Sequence, residues 1–253
     1  YPSVGASLIL SELIPQNKIL NYWKIRGSYA GVGNPPSPYL TYTYIPLEDQ
    51  NISTDGFAAA SHLKPELTKS FEIGTELRMF NNKLSLEFTY YNTNTHNQLF
   101  KYEIPSSSGY SYAYANAGKV NNWGIEASAG YKNTWRDFSW ATTLNFSMNR
   151  NKIIRLANGV ISPVDGQPID MPYLEKATLG DAGSPQVILY EGGTMGDLYI
   201  NRELRTDLNG NIYVDPQTNK VELTTTERRK VASLLPKGNI GWSNSFAWKG
   251  LNL

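Results

Sequence analysis

Residues 71 to 79 place Phe71, Ile73, Thr75, Leu77 and Met79 in one phase and Glu72, Gly74, Glu76 and Arg78 in the other. Side chains of a β-strand alternate faces with period two, so this stretch predicts a strand with one oily and one polar face. The split recurs as Leu84, Leu86, Phe88, Tyr90 against Ser85, Glu87, Thr89, Tyr91, and as Trp123, Ile125, Ala127, Ala129, Tyr131 against Gly124, Glu126, Ser128, Gly130. It recurs again as Phe138, Trp140, Thr142, Leu144, Phe146, Met148 against Ser139, Ala141, Thr143, Asn145, Ser147, Asn149. A fifth stretch sets Ile240, Trp242, Asn244, Phe246, Trp248 against Gly241, Ser243, Ser245, Ala247.

These stretches hold 25 positions in the apolar phase, none of them charged, and 22 opposite positions with five charges. The whole chain is 18% charged, so 25 uncharged positions would arise by chance in about 1% of draws. A soluble β-sandwich also keeps charge off its core face. The opposite phase separates the two readings. It is mostly Gly, Ser, Ala and Asn rather than the Lys, Glu and Thr of a solvated face, which suits a crowded, wet lumen. Aromatics bracket the apolar rows, with Trp123 eight residues from Tyr131 and Trp242 six from Trp248. A transmembrane strand needs about 9 to 11 residues between aromatic girdles. The pattern predicts an all-β chain, an antiparallel transmembrane β-barrel wall.

At 253 residues the chain can make one large all-β domain. It has no apolar run near the 18 residues of a membrane helix, and its mean hydropathy of -0.41 argues against a helical membrane protein. Barrel strands spend only every second residue on oil, so a barrel is hydrophilic on average. A net charge of +1 gives no reason to expect nucleic acid, and Arg228, Arg229 and Lys230 are expected to be a solvated face. The absence of cysteine excludes disulfides and thiolate metal sites. No signal peptide is visible, and no cofactor or metal is expected.

Short connections alternate with long ones. Asn81-Asn82 reads as a two-residue hairpin turn, since Asn tolerates positive φ; residues 132 to 137 and Lys249-Gly250 are further tight connections. Long polar segments run over 33–69, 104–112, 153–185 and 206–237. Outer-membrane barrels have short periplasmic turns and longer extracellular loops, so the long segments are expected outside the cell. If the turns at 132 to 137 and 249 to 250 share a side, an even number of crossings separates them. The stretch 186 to 205 then supplies two crossings or none. A hairpin is expected there, Gln186 to Glu191 descending, Gly192-Gly193 turning and Asp197 to Arg205 ascending. With segments 3 to 10 and 21 to 32 the total is about nine strands, plus a start at Leu251. An open sheet would leave unpaired edges in a bilayer, so the chain is expected to be a partial barrel wall of about 8–10 strands without plug or closing strands.

Leu63-Lys64-Pro65-Glu66-Leu67-Thr68-Lys69-Ser70-Phe71-Glu72-Ile73-Gly74, then Phe80-Asn81-Asn82-Lys83-Leu84 and Tyr90-Tyr91-Asn92, resembles the SusC/RagA family of TonB-dependent outer-membrane transporters. So do Tyr22 to Tyr29 with Gly33-Asn34, Asn116-Ala117-Gly118-Lys119-Val120 with Asn122, Gly124 and Glu126, and Asn149-Arg150-Asn151-Lys152. Gly193-Thr194-Met195-Gly196 with Tyr199, Pro236 to Asn239 and Gly241 to Phe246 extend the likeness along nearly the whole chain, in the family's order. It corresponds to a late portion of the family's barrel. The resemblance implies a bacterial outer-membrane location and energy-coupled import of an oligosaccharide or peptide. It also implies a SusD-type surface lipoprotein closing over the barrel and TonB pulling on a plug. The family's signal peptide, N-terminal extension, TonB box and plug have no counterpart in these residues.

Such import is not covalent chemistry, so no catalytic constellation is expected. His62 and His96 are isolated, without a Ser or Cys nucleophile pattern. Asp207-Leu208-Asn209-Gly210-Asn211 looks faintly like a calcium loop but lacks the downstream ligand spacing, and a β-turn is expected. Two tyrosine clusters, Tyr39, Tyr42, Tyr44 and Tyr110, Tyr112, Tyr114, fall in or beside the long segments. Their flat rings with polar tips suit cargo, the lid protein or packing of the loops together. Glu72, Glu76, Arg78, Glu87 and Glu126 fall on the lumen phase, where they line the route or pair with each other and with a plug. A passive porin and a soluble carbohydrate-binding β-sandwich are the rival readings.

Overall fold

The computed structural model describes residues 1–15, 18–38, 40–41, 47–48, 51–52, 57–60, 63–104, 106–116, 118–156, 160–162, 166–169, 171, 173–178 and 184–252. Its main element is one antiparallel sheet of eight strands: β1 (Ser3–Ile9), β2 (Leu20–Asn34), β3 (Glu66–Met79), β4 (Leu84–His96), β5 (Lys119–Trp135), β6 (Phe138–Arg155), β7 (Asn239–Trp248) and β8 (Leu251–Asn252). Spatial order follows chain order, so the sheet is a meander with β1 and β8 at its two ends and is not closed.

Register sorts the phases across the whole sheet. One row runs Trp23, Leu77, Leu86, Ala129, Leu144, Trp242, each residue opposite the next on the neighbouring strand. On the other face a row runs Ser7, Arg26, Gly74, Thr89, Glu126, Ser147, Asn239. A one-residue slip of β3, β4 or β5 would put charge among the oil. Among the described residues nothing covers the apolar face: Phe71 is 45% exposed, Leu144 49% and Trp242 74%. A sandwich would have buried them.

Three indoles of the apolar face find their hydrogen-bond partners within it. Trp23 Nε1 donates to Thr75 Oγ1 at 3.0 Å, Trp242 Nε1 to Thr142 Oγ1 at 2.9 Å and Trp140 Nε1 to Asn244 Oδ1 at 3.1 Å. Each indole covers the polar interruption that sequence places in the oily phase. Charge first enters this face at Lys69 on β3 and Arg150 on β6, level with or beyond Trp123, which lies opposite Arg150. From Phe138 to Met148 the uncharged run spans ten steps, about 33 Å along the strand and about 23 Å high at a 45° tilt. That matches the ~25 Å apolar band of an outer-membrane barrel.

All short connections gather at one end. β3 and β4 are joined by residues 80–83, with Phe80, Asn81 and Asn82 at positive φ, so the turn is wider than the two residues expected. β5 and β6 extend to Trp135 and from Phe138, which shrinks the connection expected at 132–137 to Arg136-Asp137. Lys249-Gly250 turns β7 into β8.

The stretch 186 to 205 corrects an expectation. Gln186–Tyr190 and Asp197–Leu204 do form a hairpin, but in a separate four-stranded sheet with Tyr173–Thr178 and Leu223–Ser233, and they cross nothing. Val187, Ile188 and Leu189 are all buried, so both faces of the strand pack against protein. A crossing strand would show one oily and one wet face. The parity argument therefore resolves to zero crossings, and the sheet has eight strands rather than nine and a start.

The buried core lies at the long-connection end. Ala58, Phe100, Ala113, Ala115, Ile169, Val187, Leu189 and Leu198 from the connections pack with Val120 and Ile153 from the tops of β5 and β6. This crown also contains a three-stranded sheet in the order Phe57–Ala58, Tyr112–Asn116, Leu99–Glu103. Side chains tie the crown to the wall. Asn151 Oδ1 accepts from the Met195 amide at 2.7 Å, and Ile153 exchanges main-chain bonds with Gly192 and Gly193 at 2.8 and 2.9 Å.

Candidate functional site

The charged face of the wall is organised by Arg26. Its position on β2 lies opposite Gly74 of β3, which lies opposite Thr89 of β4. Arg26 reaches across β3 to place Nη1 3.0 Å from Glu87 Oε1 and to donate from Nη2 to Thr89 Oγ1 at 2.9 Å; its Nε is 3.6 Å from Glu72 Oε1. A Cβ at Gly74 would lie 3.0 Å from Arg26 Nε and 3.1 Å from Thr89 Oγ1. Glycine is what lets the guanidinium pass. Gly124 repeats the device: a Cβ there would lie 2.5 Å from the Tyr91 hydroxyl, which crosses β5 to donate to Asn149 Oδ1 of β6 at 3.4 Å.

Four of the five charges singled out in the sequence are therefore accounted for by pairs. Glu72 and Glu87 share Arg26, and Arg78 Nη2 pairs with Glu76 Oε1 at 2.7 Å. Glu126 is exposed and has no ion-pair partner among the described residues; it borders a concavity of about 410 Å³ with Arg26, Thr89, Asn145 and Asn239. Arg26 itself was missed as a site residue. The signal was present in the alternation of Tyr22, Lys24, Arg26, Ser28 against Trp23, Ile25, Gly27, Tyr29, with Gly27 interrupting the oily phase.

The tyrosines divide. Tyr39, Tyr42 and Tyr44, like His62, lie outside the described residues. Tyr112 and Tyr114 stand with Phe57 on the outer side of the three-stranded sheet, ring centroids 5.8 to 6.0 Å apart, and Lys101 Nζ sits 3.7 Å from the Tyr112 ring centre. Burial raises the Tyr114 hydroxyl's pKa, and Tyr112 adds to the rise. Tyr110 packs against the crown core instead.

Arg228, Arg229 and Lys230 are not a merely solvated face. They pair with Glu175, Glu203 and Asp197 respectively. Asp197 is 1% exposed, 2.7 Å from Lys230 Nζ, and accepts the Thr194 amide at 3.0 Å. Burial pushes its carboxyl upward, but Lys230 and Thr194 outweigh that and hold it below the ordinary 3.8. Asp207 closes a β-turn, accepting from the amides of Asn209 and Asn211 at 2.8 and 2.9 Å, with Gly210 at positive φ. His96 lies between Leu67 and Lys119 at the top of the wall.

Residues 1–242 match the family model described as TonB dependent receptor-like, beta-barrel. The chain belongs to the TonB-dependent receptor family. TonB-dependent receptor P3 of Formosa agariphila is 29% identical over the whole chain, and TonB-dependent receptor P26 of the same organism is 31% identical over 62% of it. Among solved structures, the RagAB peptide transporter matches 99% of the chain with a TM-score of 0.71 at 23% identity, which speaks for the fold. The RagAB peptide importer in its open-open state matches equally, with a TM-score of 0.71. The chain spans about 27% of the length of the P3 receptor and of these transporter chains. This TonB-dependent receptor barrel segment is an outer-membrane chain, and its resemblance to the SusC/RagA family rests on residues with visible work. Asn116 accepts the Lys64 amide at 2.5 Å and donates to the Lys64 and Asn97 carbonyls, and Glu66 Oε1 accepts the Leu99 amide at 2.9 Å. These motif residues join crown to wall.

Proposed function

We propose that this chain is part of the barrel of an outer-membrane importer that takes up oligosaccharides or peptides. A SusD-type surface lipoprotein closes it, and TonB drives it through a plug. The long connections and the crown are then extracellular, the short turns periplasmic, and the face carrying Arg26, Glu72, Glu76, Arg78, Glu87 and Glu126 lines the lumen. The carrying observation is the division of one eight-stranded sheet into an uncovered, uncharged apolar face and a face of paired charges. Only a hydrocarbon exterior and a wet interior accommodate both. Charges already paired within the wall hold its interior in shape, while Glu126 is left to meet a plug cation. Tyr112 and Tyr114 offer their rings to cargo or to the lid.

Uptake of radiolabelled oligosaccharides and peptides by cells carrying the full-length receptor tests this. Deleting TonB or the partner lipoprotein is expected to abolish uptake above background. Uptake that persists without TonB would make the protein a passive pore and overturn the proposal.

A further inference from the structure

Two sheet edges in the crown border one groove. Leu99–Glu103 is the outer strand of the three-stranded sheet, and Tyr173–Thr178 is the outer strand of the four-stranded sheet. Residues 98–102 and 173–175 line a half-open groove of about 650 Å³, with Met171 and Met195 contributing apolar surface. That volume is in the range of built ligand sites.

The hydrogen-bonding direction of the first edge follows from its neighbours. Leu99 gives its amide to Glu66 rather than to Asn116 opposite, whereas Ile104 gives its amide to Ser111 across the hairpin at 3.3 Å. In an antiparallel ladder the bonded and non-bonded pairs alternate. Phe100 and Tyr102 therefore bond inward, and Lys101 and Glu103 direct N–H and C=O away from the hairpin. Leu99 is already capped by Glu66, so Lys101 presents the main-chain donor and acceptor on the groove side. Among the described residues neither edge is paired with a further strand. Beside them Gln98 Oε1 is buried without a donor, an acceptor that asks for an N–H.

We infer that this groove binds an extended peptide by strand addition to the Leu99–Glu103 edge. The ligand's main chain pairs with Lys101, one of its amides satisfies Gln98, and its side chains lie against Met171, Met195 and Tyr173. Unpaired edges recognise main chain irrespective of sequence, and the pockets beside them select alternate side chains. A glycan has no regular row of amide N–H and C=O groups to match such an edge. The inference rests on the importer reading only for its meaning, naming peptide as the cargo class; the site itself stands on the groove.

The test uses the purified full-length receptor in detergent and a fluorescein-labelled Ser-Val-Ser-Val-Ser-Val-Ser peptide read by anisotropy. Saturable binding is expected, and alternate N-methylation of the peptide is expected to weaken it by at least about tenfold, because the ligand N–H groups that donate to the Lys101 carbonyl and to Gln98 Oε1 are lost. Lys101→Pro should weaken it similarly, while Lys101→Ala, which keeps the backbone N–H, should cost no more than about threefold. Absence of binding, indifference to N-methylation, or equal loss in Lys101→Pro and Lys101→Ala would overturn the inference. Displacement of the peptide by a cellohexaose competitor would also overturn it. Binding that holds while cellular uptake proves independent of TonB would sink the importer reading and leave the site intact.

Discussion

Leu144 in the wall is 49% exposed and Leu189 in the crown is 2% exposed, though both sit mid-strand in antiparallel sheets. Wall strands bury almost nothing against protein, and their apolar residues point to where acyl chains belong. In the crown, Gln186–Tyr190 buries both faces, and Leu99–Glu103 and Tyr112–Asn116 bury one, within a core that includes Val120 and Ile153 at the top of β5 and β6. One chain thus folds for two solvents. The wall's side-chain stability comes from the bilayer and the register, while the crown carries a core of the water-soluble kind.

The contrast is sharpest under truncation of the core. Leu189→Ala should cost the crown about 2–5 kcal/mol. Hydrogen exchange should quicken across 173–178 and 186–204 and stay unchanged in β3 and β4; equal quickening in the wall would show that the two regions form one cooperative unit. Leu86→Arg should cost about 2–4 kcal/mol on folding into phospholipid vesicles, as a charge facing lipid near mid-depth does. A neutral result would mean that the apolar face is not the lipid face. Gly74→Ala should cost about 1–3 kcal/mol through crowding of Arg26 and Thr89. Thermal unfolding of the double variant with Arg26→Ala should recover part of that loss, because the tightest of the three crowding groups is gone while Thr89 Oγ1 and the Phe88 carbonyl remain.

The wall was legible because a period of two leaves a mark on every residue. Five strands, the shared end of the short turns and the segregation of Glu72, Glu76, Arg78, Glu87 and Glu126 all follow from it. β2 was harder, since Gly27, Gly31 and Gly33 thin its oily phase, and Arg26 went unnoticed with it. The crown was not legible for a different reason. Its strands are short, and Val187-Ile188-Leu189 is a continuous apolar run, which periodicity cannot separate from a crossing. Asp197 was invisible as a node because its partners, Thr194 and Lys230, are brought together only by the fold.

Gly74 and Gly124 let Arg26 and Tyr91 act as stitches, each fastening a strand to its next-but-one neighbour. Together they sew β2 to β4 and β4 to β6, so five consecutive strands cannot slide past one another without tearing a thread. In a closed barrel the stagger between strands fixes the girth. Two residues without side chains thereby help set how wide a barrel this wall can close into.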